Sequence, residues 1–313
     1  MRLCRNYLLR LFYFPLPLYH GRMVHEWHIA GRILPIGERT LIMGVLNVTP
    51  DSFSDGEQFL STDKALAHAE QMIADGADII DIGGESTRPG AALISPADEL
   101  QRVLPVVEEL AKRTSVPVSI DTTKAVVARA ALDAGAAIVN DISALRFDFH
   151  IADEVAKSGA GLVLMHSRGT PSTMQKLPPV ADILAEVTHS LRISVAMAER
   201  RGVKHESIVI DPGIGFGKTQ EQNLELITRL DRFAHAFPDF PILIGTSRKS
   251  FIGRLLADEN GEPAPAADRL HGTMASITAA VLRGARIVRV HDVKAAVETV
   301  RVADAMKGIA LPN

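Results

Sequence analysis

Short apolar runs recur through this chain: "TLIMGVLNV", "ADIIDIGG", "VPVSIDT", "AAIVNDI", "GLVLMHS", "SIVIDPG", "PILIGTS" and "RIVRVHD", eight in all. Each is nearly continuous in hydrophobicity. A strand with one wet face alternates apolar and polar residues, whereas a run apolar on both faces belongs to a parallel sheet covered by other elements. Helical patterns separate the runs. In "DKALAHAEQMIADG", Ala65, Leu66, Ala69, Met72 and Ile73 make one stripe, and Gly76 stands where a helix stops. In "PADELQRVLPVVEELAKRT", Pro96 is placed to open a helix. "AVVARAALDAG", "IADEVAKSGA", "ILAEVTHSLRISVAMAERRG", "QEQNLELITRLDRFAHAF", "DRLHGTMASITAAVLRGA" and "AAVETVRVADAMKG" complete the set. Eight runs alternating with eight helices predict an α/β fold, a closed (β/α)₈ TIM barrel in a single domain. A doubly wound open sheet is the runner-up. "HEWHIAGRILPIGERT" precedes the first run, and its alternation and Gly37 predict a short N-terminal β-hairpin closing the barrel bottom. "ENGEPAPAADR" reads as a surface loop without a domain boundary.

The chain has 313 residues, 47% of them hydrophobic, which is ample for one large core. Its net charge of -3 gives no global signal for nucleic acid, though a local basic site for a small anion stays open. Cys4 is the sole cysteine, so no intrachain disulfide forms, and a cytoplasmic location is expected. Residues 1–22 differ in character, with four arginines and no acids. Arg10, Pro15 and Pro17 interrupt their apolar run, which argues against a membrane helix. The expectation is a disordered extension ahead of a folded domain spanning residues 23–313.

Chemistry in such barrels sits at the C-terminal ends of the strands. Here nearly every run ends in polar residues: Asn47; Asp81 with Glu85; Asp121; Asn140 with Asp141; His166; Asp211; Ser247 to Lys249; Arg289 with His291. Any one of these could cap a helix. All of them together converge on one mouth. Asp121, Asn140 and Asp211 suit a flat heterocycle with an amino-pyrimidine edge, whose adjacent N–H donors match carboxylate oxygens. Lys249, Arg289 and His291 make a cationic arc on the last two strands, where phosphate sites of this fold commonly lie.

Three motifs point elsewhere and are set aside. "PGIGFGKT" resembles a phosphate-binding loop, but Pro212 stands where that pattern needs its first glycine. His25 and His28 of "HEWH" lie in the plug segment and lack an evident third zinc ligand. Lys249 on a barrel strand invites a Schiff-base reading, but its place between Arg248 and Ser250 better suits charge neutralisation.

"MGVLNVTPDSFSDG", "DIGGESTRPG", "SIDT", "VNDI", "DPGIGFGK", "GTSRKSFIG" and "RVHDV" together resemble the dihydropteroate synthase family, in that family's order, over about residues 42–307. The resemblance implies transfer of a dihydropterinylmethyl group from its diphosphate to 4-aminobenzoate in folate synthesis, Mg²⁺ as cofactor, a homodimer and membership of the family that sulfonamides target. It implies no nucleic-acid or membrane partner. It further implies that Asp121, Asn140, Asp211 and Lys249 hold the pterin, with Met165, Gly215 and Phe216 near its faces or the second substrate. Asn47 would touch Mg²⁺ and diphosphate, and Arg289 and His291 would bind the diphosphate. Thr87, Arg88, Pro89 and Ser250 would build the aminobenzoate site. Lys249, Arg289 and Asp121 are the catalytic candidates, acting through a dissociative displacement. The loop after Asn47, with Pro50, Ser52, Ser54 and Gly56 as turn formers and Phe53 as cover, reads as a lid. This chain has Gly56-Glu57 where the family often has two glycines. Two rivals remain: a methyltetrahydrofolate-corrinoid methyltransferase, which has no use for a diphosphate clamp, and a non-catalytic pterin-binding paralogue.

Overall fold

The structure, a computed structural model, describes residues 25–49, 58–86, 90–91, 93–170 and 172–308. The N-terminal segment forms the expected hairpin of β1 (His25–Ile29) and β2 (Arg32–Ile36), paired antiparallel with His25 opposite Ile36. Its turn falls at Ala30 and Gly31, both at positive φ, rather than at Gly37. Two consecutive left-handed residues give the twist that a two-residue hairpin needs. Alternation then sends Trp27 and Ile29 into the barrel, where both are buried. Trp27 Nε1 donates to the Ser207 carbonyl at 2.8 Å, so its one polar atom is satisfied. Removing a side chain of this size from such a site costs about 3–5 kcal/mol.

The eight apolar runs become β3 (Leu41–Asn47), β4 (Ile79–Gly83), β5 (Val118–Asp121), β6 (Ile138–Asp141), β7 (Gly161–Met165), β8 (Ile208–Asp211), β9 (Leu243–Ile244) and β10 (Ile287–Val290). All pair in parallel, in the order β8-β7-β6-β5-β4-β3-β10-β9. A single parallel bridge between Ile210 and Ile242 joins the two ends and closes the barrel. The final seam is thus the weakest. β9 is only two residues long because the chain leaves the sheet at Gly245.

Around the barrel lie α1 (Gln58–Ala74), α2 (Pro96–Arg113), α3 (Ala125–Asp133), α4 (Ile151–Ser158), α5 (Ile183–Arg200), α6 (Gln220–Thr228), α7 (Leu230–Ala236), α8 (Ser250–Leu255), α9 (Leu270–Leu282) and α10 (Val293–Lys307). Pro96 opens α2 as expected, and the Ser95 side chain caps it by accepting from Asp98 N. The pattern read as one helix after Gln220 breaks at Arg229 into α6 and α7. The short α8 has no counterpart in the sequence pattern, since six residues are too few to show a helical period.

Strand parity positions the site. Met43, Ile79, Ile138, Val163, Val209, Leu243 and Ile287 pack with Trp27 and Ile29 as a buried floor. Two residues further along the same strands stand Val45, Asp81, Asn140, Met165, Asp211, Gly245 and Arg289. Side chains alternate across a strand, so this second layer faces the same interior, one step nearer the mouth. Intervening residues such as Ile42, Ile80, Val139 and Val288 pack outward in the core beneath the helices.

Candidate active site

A cleft opens at the C-terminal ends of the strands. It is lined by Asp121, Asn140, Met165, Asp211, Phe216, Lys249, Arg289 and His291, all expected from sequence, together with Val45, Ile142, Gly245 and Ser247. Gly215 stands behind Lys249: a Cβ there would meet Lys249 Cδ at 3.0 Å. Ser250 is exposed as the first residue of α8 and does not line the cleft. Thr87, Arg88, Pro89 and the loop from Pro50 to Gly56 lie outside the described residues.

Arg289 organises the floor of this cleft. Its Nε donates to Asp81 Oδ2 at 2.6 Å and its Nη2 to Asp121 Oδ2 at 2.7 Å. Asn140 Nδ2 donates to the same Asp81 oxygen at 2.9 Å, which leaves Asn140 Oδ1 as an acceptor. Asp81 is fully buried, and its Oδ1 has no hydrogen-bond partner among the described residues. Two carboxylates, fully buried Asp81 and largely covered Asp121, share one guanidinium. Burial pushes the Asp121 carboxyl well above its ordinary range, with Arg289 pulling the other way and Asp81 adding to the rise. Burial works against the Arg289 charge, but Asp81 and Asp121 outweigh it and raise its pKa. In this state Asp121 already accepts from an N–H donor of the chain's own planar guanidinium.

Across the cleft, Asp211 Oδ1 accepts from Gly213 N at 2.7 Å. Burial raises the Asp211 carboxyl to about 6, opposed by that N–H and by Lys249. The Lys249 ammonium donates to the Ile214 carbonyl and stands 4.3 Å from the centre of the Phe216 ring. Burial lowers Lys249 to about 8, resisted by Asp211. His291 Nδ1 is 3.0 Å from Ser247 Oγ, and burial together with Arg289 lowers the imidazole to about 4. The expected arc of three cations is therefore corrected: near neutral pH, in the absence of ligand, His291 is a neutral hydrogen-bonding group. Desolvation beside Arg289 costs an imidazolium more than Asp292 returns.

Several polar strand ends serve the scaffold. Asp141 accepts from Ser143 N and Oγ and from Leu145 N, which bends the chain after β6. Glu85 accepts from Ile94 N and from Lys124, and Lys124 also donates to buried Glu99. Sequence reasoning set Asp81 and Ser247 among the polar residues of the mouth but gave neither a role in the site. Asp81 shares the inward parity of the residues it did select, and that parity was the available signal.

The expected Mg²⁺ can be tested against the donors. Asn47 ends β3, and a Cβ at Gly83 would lie 3.8 Å from both Asn47 Oδ1 and Asp121 Oδ2, so an open cradle separates these oxygens. Among the described residues no cluster of three His, Cys, Asp or Glu side chains could hold a metal alone. One amide oxygen near the basic Lys249 and Arg289 side chains fits Mg²⁺, an ion that keeps its waters and binds through few protein groups.

A closed parallel barrel whose strand ends gather acids, an amide and basic side chains into one cleft has the architecture of a TIM-barrel enzyme. The family model for pterin binding enzymes matches residues 43–291. The dihydropteroate synthase of Synechocystis sp. is 46% identical over 294 residues, covering 94% of this chain and 96% of that protein. The structure of Xanthomonas albilineans dihydropteroate synthase with 4-aminobenzoic acid is 40% identical, with a TM-score of 0.81, covering 91% of this chain and 100% of that one. The Burkholderia cenocepacia dihydropteroate synthase complexed with 7,8-dihydropteroate is also 40% identical, with a TM-score of 0.79, covering 91% and 98%. The chain belongs to the dihydropteroate synthases, within the pterin-binding enzyme family. Among the described residues no helix is long and apolar enough to cross a membrane.

Proposed function

We propose that the protein joins (7,8-dihydropterin-6-yl)methyl diphosphate to 4-aminobenzoate, releasing diphosphate and forming 7,8-dihydropteroate. The convergence of Asp121, Asn140, Asp211 and Lys249 with Arg289 and His291 on one cleft carries this reading. The relatives captured with 4-aminobenzoic acid and with 7,8-dihydropteroate support it.

Asp211 and Asn140 Oδ1 accept from the amino-pyrimidine edge, and Lys249 donates to the ring from the opposite side. Pterin entry displaces the Arg289 Nη2 group from Asp121, while Asp81 keeps its hold on Nε. The freed guanidinium then turns to the ring face or the diphosphate, and Asp121 stabilises positive charge growing on the heterocycle. Thr87, Arg88, Pro89 and Ser250 remain candidates for the aminobenzoate side on family resemblance.

The amine of 4-aminobenzoate is neutral near pH 7 and needs no strong base. Loss of diphosphate is the harder step, so the displacement is dissociative, with the pterin sharing the methylene charge. Arg289 and His291 stabilise the leaving oxygens; one such donor is worth about 3–4 kcal/mol. Mg²⁺, when bound beside Asn47, supplies further neutralisation of the diphosphate. Holding the amine near the methylene carbon contributes on the order of 7–11 kcal/mol at best.

Formation of dihydropteroate by the purified protein, with and without Mg²⁺, tests the reading. Methyl transfer from methyltetrahydrofolate, or pterin binding without product, would replace it. A dissociative route further predicts positional oxygen exchange in the bound diphosphate ester without 4-aminobenzoate, and absence of exchange during slow turnover would count against that route. We carry the homodimer as part of the same family reading, and sedimentation velocity tests it.

A further inference from the structure

The glycine-rich loop after β8 resembles a phosphate-binding loop in sequence, and its lysine has no part in the site described above. Lys218 is 6% exposed and faces inward. Its Nζ donates to the Gly213 carbonyl at 2.7 Å, to the Phe216 carbonyl at 3.2 Å and to the His166 carbonyl at 3.4 Å. Three donors thus meet three carbonyls, two from the ends of one turn and one from the end of β7. The turn itself is closed by Phe216 N donating to the Gly213 carbonyl at 3.3 Å. Its Ile214 carbonyl accepts instead from Lys249, on the cleft side.

The surroundings leave this turn little freedom. A Cβ at Gly213, where φ is +70°, would stand 1.8 Å from the His166 oxygen. The two backbones therefore touch where Lys218 bridges them. Gly215 N donates to Asn223 Oδ1 at 2.6 Å, and the Thr219–Gln222 capping box starts α6 immediately beyond Lys218. Burial lowers the Lys218 pKa well below its ordinary value, so a lysine is kept here at a cost that packing alone does not explain.

We propose that Lys218 is a positioning residue: by gathering the Gly213, Phe216 and His166 carbonyls behind the turn, it fixes the Ile214 carbonyl and the Phe216 ring that aim Lys249 into the pterin pocket. Two lysines grip opposite sides of one turn, Lys218 from within and Lys249 from the cleft. The inference rests on the pterin-binding role of Lys249 given above.

Isothermal titration of the full chain with the dihydropterin diphosphate, in the absence of 4-aminobenzoate, tests it through Lys218→Met, which keeps the length of the stem and removes the donors. Calorimetry separates two effects. Loss of folded protein lowers the binding stoichiometry and leaves Kd alone, whereas a displaced Lys249 raises Kd. The expected result is a Kd raised about tenfold or more at a stoichiometry near that of the unaltered chain. A Kd within about twofold of the unaltered chain would overturn the proposal, whatever the stoichiometry. Should Lys218→Met fail to fold, Lys218→Gln, with two donors and a shorter reach, is titrated in its place and must also raise Kd. If the unaltered chain itself fails to bind the diphosphate, the pterin reading falls rather than the role of Lys218.

Discussion

Replacing Asp211 by asparagine should make the protein more stable and less active, and the structure gives the size of the first effect. Asp211 is 4% exposed and its carboxyl is raised to about 6, against 3.8 for the free group. Its folded pKa lies above its unfolded one, so the folded state holds the proton more tightly. Stability from this group is fully present below about pH 4 and is lost as pH rises through 6. At pH 8 the ionised carboxylate therefore costs about 3 kcal/mol, taking about 1.4 kcal/mol per pH unit. The amide introduced by Asp211→Asn would keep an oxygen to accept from Gly213 N and would carry no charge to desolvate. Urea unfolding of both proteins at pH 4.5, 6 and 8 checks this. The variant should gain up to about 3 kcal/mol at pH 8, and the gap should shrink to about 1 kcal/mol at pH 4.5. Activity should fall at the same time, because an amide cannot offer two acceptor oxygens to a pair of N–H donors; losing a charged hydrogen bond costs about 1.5–3 kcal/mol. A variant less stable at pH 8, or a gap independent of pH, would refute the claim that a buried anion is held here for binding.

The pH dependence of kcat/KM should be bell-shaped: the acid limb, between about pH 6 and 7, reports ionisation of Asp211 and Asp121, and the basic limb, near pH 8, reports loss of the Lys249 proton. Rapid-quench rates between about pH 5 and 9.5 read both limbs, and a profile flat across pH 8 would remove Lys249 from the essential groups. Asp81→Asn should release both Arg289 and Asn140, weakening dihydropterin diphosphate binding by about tenfold or more in a fluorescence titration. Unchanged affinity there would mean that the buried Asp81 is only a structural anion.

The barrel was legible because a parallel sheet covered on both faces leaves an unmistakable trace of apolar runs, and the hairpin because Trp27 and Ile29 alternate with polar neighbours. What the pattern hid was local. β9 shrinks to two residues where Gly245 ends the pairing, and the break at Arg229 follows from backbone geometry that no apolar stripe records. At the site, residue type found Asp121, Asn140, Asp211 and Arg289, which stand on strands at the barrel mouth, and Lys249, which was expected on a strand but lies beyond β9 at the N-terminus of α8. It could not separate the acids that face ligand from those that hold the scaffold. Asp141 turns to its own backbone and Glu85 to Lys124, whereas Asp81 reaches into the site. Counting two residues onward from each floor residue would have made part of that division. The charge state of His291 was beyond any pattern, since it depends on how deeply the ring is buried beside Arg289.

The central claim is that one rim holds a bicyclic pterin by its amino-pyrimidine edge while Arg289 exchanges Asp121 for the ligand. A crystal structure of the protein with bound dihydropterin diphosphate tests it most directly. The account predicts the ring edge against Asn140, Asp211 and Lys249, with Arg289 Nη2 moved off Asp121 and its Nε still on Asp81. A ligand seated away from these strand ends, or a ring in the cleft with the Arg289–Asp121 pair intact, would contradict it.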